Sequence, residues 1–147
     1  MANFLPSVST VEQRLPDFNP QAFVASLHSR YEEHPEHFDI PQEYLMRCTG
    51  PSGEVLPERF DAIALALAHG YNDIKLSFAF CDAVVNIMIG SVYSDAGRQL
   101  DTWPPLFWEV FLAFDAGEFF REGEEHVDPA EKYTRPLIEA IVAEHRS

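Results

Sequence analysis

Residues 76–93 offer a helix almost no wet face. Phe78, Phe80, Cys81, Val84, Val85, Ile87, Met88, Ile89 and Val92 fall on nearly every side of a 3.6-residue turn, and a helix that is apolar all round belongs in the middle of a protein. The β-branched residues make a strand the competing reading for part of this run, but its length favours a helix. Asp82 and Asn86 interrupt it and make it too polar for a membrane span. The rest of the chain must therefore wrap around it.

Most of the remaining sequence carries helical periodicity punctuated by proline. Residues 1–19, with Pro6 and Pro16, read as an irregular arm, with Phe4, Leu5 and Phe18 available for docking. Asn19-Pro20 is a helix start, a capping side chain followed by a residue with no N–H to satisfy; the helix should run to about Tyr31 with Phe23 and Leu27 inward. Pro35 and Pro41 bracket a loop, residues 41–48 fit a short helix or a strand, and 49–53 is a turn cluster. Pro57 opens a helix with the stripe Phe60, Ile63, Ala64, Leu67 and Tyr71, and Gly70 reads as its stop. After a turn at 95–97, Asp101 or Thr102 should cap a helix with Phe107, Val110, Phe111 and Phe114 inward, weakening at Gly117 and Gly123. Asp128-Pro129 starts a last helical region that Pro136 kinks or restarts, with Leu137, Ile138, Ile141 and Val142 as its stripe. The expected fold is all-α: one domain over residues 1–147, an irregular bundle of five to six helices around the central apolar helix.

Hydrophobic residues are 46% of the 147, enough to build a core at this length without disulfide or metal, so the acidity belongs to the surface. Twenty-four acids face ten Lys and Arg, a formal charge of −14, and only Lys75 and Lys132 are lysines. Residues 109–131 hold eight acids and one base, Arg121; residues 32–43 hold five acids and no Lys or Arg. Such a surface repels nucleic acid and anionic membranes and draws in basic partners. Cys48 and Cys81 form no CxxC pair, and Cys81 reads as a buried small hydrophobe. The N-terminus has neither a basic region nor a long apolar run, so a cytoplasmic protein without a signal peptide is expected.

Phosphate-loop, dinucleotide, nucleophile-elbow and HExxH motifs are all absent. Three polar constellations remain. His34, His37 and Asp39 are ligand types that zinc or nickel accepts, but Pro35 breaks their spacing and an acidic, solvated loop is expected, with no metal or cofactor. Asp82 and Asn86 stand at i, i+4 on the apolar helix; buried polar groups need partners, and Arg59 or Arg135 would serve, unless the pair lines a groove. Asp115, Glu118 and Glu122 could act as acid and base, but no nucleophile accompanies them. The expected role of that stretch is partner binding, through Glu109, Asp115, Glu118, Phe119, Glu122, Glu124 and Glu125, with Trp103, Trp108, Phe119 or Phe120 as anchors.

Three strings, Phe80-Cys-Asp-Ala-Val-Val-Asn86, Phe107-Trp-Glu-Val-Phe-Leu-Ala-Phe-Asp-Ala-Gly-Glu118 and Asp128-Pro-Ala-Glu-Lys-Tyr-Thr-Arg-Pro-Leu-Ile138, resemble segments of immunity proteins that accompany bacterial polymorphic toxins. The resemblance spans roughly the C-terminal half and rests on helix-packing strings. It implies a small, acidic, non-enzymatic cytosolic protein that neutralises a cognate toxin domain by occluding a basic active site or substrate cleft. Two other readings stand beside it: an enzyme of unmarked type, in which Asp82, Asp115, Glu118 and a histidine meet in one cleft, and a nucleic-acid mimic whose acids trace phosphate spacing.

Overall fold

Asn19 caps the first helix with its own side chain, Oδ1 accepting from Ala22 N at 3.0 Å. Pro20 follows in the first turn, and α1 (Pro20–Glu33) buries Phe23, Val24 and Leu27. It ends at His34, whose helical conformation is disfavoured by the proline after it. The computed structural model describes residues 18–96 and 103–145. Phe4, Leu5 and the arm before residue 18, and the expected caps Asp101 and Thr102, lie outside the described residues. Phe18 does dock: its ring sits 5.6 Å from Phe23 and under the guanidinium of Arg59.

A 3₁₀ turn (Pro35–His37) and a short helix, α2 (Gln42–Met46), resolve the segment that periodicity left open. The turn after it closes with Gly50 N donating to Glu54 O at 2.8 Å, and an isolated antiparallel bridge joins Thr49 to Val55. Next comes α3 (Pro57–Asn72), whose buried stripe is Phe60, Ile63, Ala64, Leu67, Ala68 and Tyr71. Gly70 does not stop it. Its role is to admit Leu76, whose side chain fills the space a Cβ would need, while the N–H groups of Lys75 and Leu76 both donate to Gly70 O. The stop falls at Ile74, held at φ +61°; a β-branched residue there costs on the order of 1–3 kcal/mol, offset by those closing hydrogen bonds.

Ser77 then caps α4 (Phe78–Ala96), accepting from Phe80 N at 3.1 Å. Phe80, Cys81, Val84, Val85, Met88, Ile89 and Val92 are its buried residues. Part of its apolar surface meets α1 and the loop after it: Phe80 is ringed by His28 and Tyr31 of α1 and by Phe38, at 4.9, 5.4 and 6.0 Å. The hub of the bundle is α3, which packs on α1, α4, α5 and α6. Its alanines allow that close approach, whereas the bulk of α4 makes it one wall of the core.

The fifth helix, α5 (Pro105–Asp115), has no side-chain cap of its own. Asp61 of α3 supplies it from 46 residues away, Oδ1 accepting from Phe107 N at 2.8 Å. The α3–α5 contact and the start of α5 are thus one interaction. A π turn (Ala130–Thr134) leads into α6 (Arg135–Glu144). Pro136 lacks an N–H and its ring crowds the preceding turn, so the backbone widens there before the α-helix resumes. Thr134, fully buried, donates from Oγ1 to Ala113 O at 2.7 Å and ties this junction to α5. Among the described residues the fold is all-α with six α-helices, and no helix is long and apolar enough to cross a membrane.

Candidate functional site

The end of α5 lies against the wet side of α4, and four polar residues meet there. Asn86 Nδ2 donates to Glu118 Oε2 at 2.7 Å and to Asp82 O at 2.8 Å. The carboxyls of Asp82 and Asp115 both stand against that of Glu118. Two carboxyl groups can share a hydrogen bond only if one keeps its proton. Asp82 Oδ1 is buried with no donor reaching it among the described residues, and a buried carboxyl without a donor favours its neutral form. Burial first, then its hydrogen bond to Glu118 and the negative charge there, push Asp82 up to about 8. Burial and the same charge raise Asp115, while the hydrogen bond from Asp82 holds Glu118 below the usual carboxylate range.

Among the described residues, no lysine, arginine or histidine stands out as a partner of these three carboxyls. Neither Arg59 nor Arg135 partners Asn86: that role falls to Glu118, while Arg135 pairs with Glu131 at 3.0 Å. The negative end of α5 points into the cluster and adds to its field. Beyond it the chain exposes Phe119 and Phe120, at 52% and 60%. Arg121, the one base of this stretch, turns away. Its guanidinium lies 3.6 Å from the ring centre of Tyr133 and 4.3 Å from that of Phe119, and donates to Ala116 O at 2.9 Å. The segment is anchored where Gly117 meets α6: a Cβ there would strike Thr134 Oγ1 and come within 2.9 Å of Ala130 Cα.

The other expected binding residues scatter. Glu124 is already engaged, accepting from Lys132 Nζ and Tyr133 Oη, both at 2.6 Å. Glu125 closes its own turn by accepting from Gly123 N at 3.1 Å, and Glu122 is exposed. Glu109 is exposed on another face of α5, beside Leu112 and Leu137. Trp103 and Trp108 meet edge to face at 5.1 Å, with Tyr93 alongside and Phe111 stacked on Trp108, and are half-buried. That leaves Phe119 and Phe120 as the free anchors.

His34 and His37 are exposed around a shallow cavity of about 150 Å³ that Arg30 and Glu33 also line. Among the described residues no three or more His, Cys, Asp or Glu form a group suited to a metal ion. Both cysteines are buried and free; burial pushes the Cys48 thiol up to about 12 and Cys81 upward as well, so neither is a ready nucleophile. A cavity of about 440 Å³, between α2, the turn after it and Gly90, Ser91 and Ser94 of α4, had no sequence signal and holds no ionisable lining group. The sequence brings Asp82, Asp115 and Glu118 together only in the enzyme alternative, and it pairs Asn86 with Asp82 rather than with Glu118. The i, i+4 polar pair on an apolar helix was the only local clue. No protein-family model, curated protein or solved structure matches the chain.

Proposed function

We propose that the chain is a non-enzymatic inhibitor of the immunity type, whose acidic face binds a basic toxin domain and covers its active site or substrate cleft. One observation carries this reading: three carboxyls and Asn86 converge beside two exposed phenylalanines, and among the described residues no cation pairs with them. An incoming lysine or arginine would displace the shared proton and form charge-assisted hydrogen bonds with Asp115 and Glu118. Phe119 and Phe120 supply the apolar contact that such an interface needs at its centre, and the overall −14 charge speeds encounter with a basic surface.

Co-expression with the product of the gene immediately upstream tests it. The two should co-elute, part as salt rises, and lose affinity when Glu118 and Phe119 are replaced together. A harmless neighbour that forms no complex would sink the reading. A second reading has one observation in its favour, because Asp82, Asp115 and Glu118 do converge and Asp82 holds a proton to about 8, as a general acid should. No histidine joins them. Stoichiometry separates the two: an inhibitor protects one target per chain, whereas an enzyme protects at a small fraction of that ratio.

A further inference from the structure

A different face carries a second surface. Thr134 bonds Ala113 O, so α6 starts beside the end of α5 and the two helices flank a groove of about 330 Å³. Ala113 and Ile141, both buried, lie at its bottom, and Ala140 is exposed beside them; the two alanines let another backbone come close. Leu112 and Leu137 rise at its sides, 45% and 47% exposed. Both belong to helices whose neighbouring apolar residues are buried, so these two leucines are surplus to the core. Among the described residues, the ionisable groups lining the groove are Glu109 and Glu144. Because Thr134 sits at Ala113, Glu109 and the far end of α6 fall together at the other end.

We infer that this groove receives a basic amphipathic helix. Its apolar floor takes leucine-like anchors at i, i+3 or i+4 and i+7, and Glu109 and Glu144 pair with flanking lysines or arginines. An acidic segment would meet like charge at that end. A helix lying along the ten residues of α6 spans about 15 Å, or roughly three turns. This extends the inhibitor reading, on which it rests for the identity of the partner, by giving that basic partner a specific docking element away from the carboxyl cluster.

Calorimetric titration of the full chain with a synthetic amphipathic Leu/Lys helix, and with its Leu/Glu counterpart, tests the inference. The Leu/Lys helix should bind and the Leu/Glu helix should not. Leu112→Lys and Leu137→Lys, both at half-exposed positions and checked for folding by circular dichroism, should each weaken binding about tenfold or more, as the loss of an apolar anchor does. Asp115→Asn, at the cluster, should change it less than about twofold. Equal binding by the Leu→Lys variants, or none by the parent chain, overturns the inference. So does a dimer, seen by light scattering, that Leu137→Lys dissolves, since a second copy would then fill the groove. Failure of the peptides beside an intact, salt-sensitive toxin complex removes the groove alone. Peptide binding without any toxin complex removes the inhibitor reading alone.

Discussion

One acidic stretch divides into two regions that treat their charge oppositely. In the C-terminal part, Glu124 meets Lys132 and Tyr133, Asp128 accepts from Ala130 N, and Glu131 meets Arg135. In the N-terminal part, Asp115 and Glu118 meet Asn86 and another acid, Asp82, and no cation among the described residues. Arg121 lies between them, over Tyr133 on one side and Phe119 on the other, and pairs with neither Asp115 nor Glu118 in the described structure. In sequence the two halves look alike. Only the folded chain shows that one is spent on holding the α5–α6 connection and the other remains open to a cation from outside.

The sharpest way to break this contrast is at the junction both halves hang from. Gly117→Ala forces a methyl against Thr134 Oγ1 and the Ala130 backbone, and should cost about 1–3 kcal/mol by overpacking. Urea denaturation will read it, and an unchanged midpoint would mean the connection is not fastened there. Arg121→Ala comes next. Losing two ring contacts and the bond to Ala116 O should cost about 1–2 kcal/mol and speed amide exchange in residues 118–128. Glu118→Gln, by contrast, should be neutral or stabilising at pH 8, since it relieves carboxyl crowding.

Asp82→Asn probes the open half through pH. The folded chain keeps the Asp82 proton to about 8, whereas an unfolded chain loses it near about 4. Between those values the native state binds the extra proton, so this group's contribution, full below about 4, is lost as pH rises toward 8. Glu118, shifted the other way, acts only below that window. Thermal melts from pH 5 to 8 should therefore fall less steeply in the variant than in the parent. Parallel curves would remove the shared proton. Lys132→Ala gives the smallest change, a slight loss at low salt that disappears at high salt, because its pair with Glu124 is exposed to solvent.

What the sequence disclosed was local. Asn19-Pro20 announced α1, and the stripe from Phe60 to Tyr71 announced α3, because caps and periodicity act within one or two turns. Non-local partners were hidden. Asp61 carries no signal of its own in the sequence, yet it starts α5 from 46 residues away. Gly70 looked like a stop, but it makes room for Leu76. Leu137 read as core and is 47% exposed, since helical spacing tells which residues share a face without telling whether a neighbour covers it. Asp82 and Asn86 were conspicuous on an apolar helix, but nothing in the chain's local pattern pointed to Glu118, 32 residues from Asn86.

The most direct measurement is the titration of the Asp82 side-chain carboxyl by carbon-detected NMR, in the parent chain and in Glu118→Gln. The expected result is an inflection near 8 in the parent and a marked drop once Glu118 is neutral. An inflection in the ordinary aspartate range in both chains would contradict the uncompensated carboxyl cluster on which the proposed binding face rests.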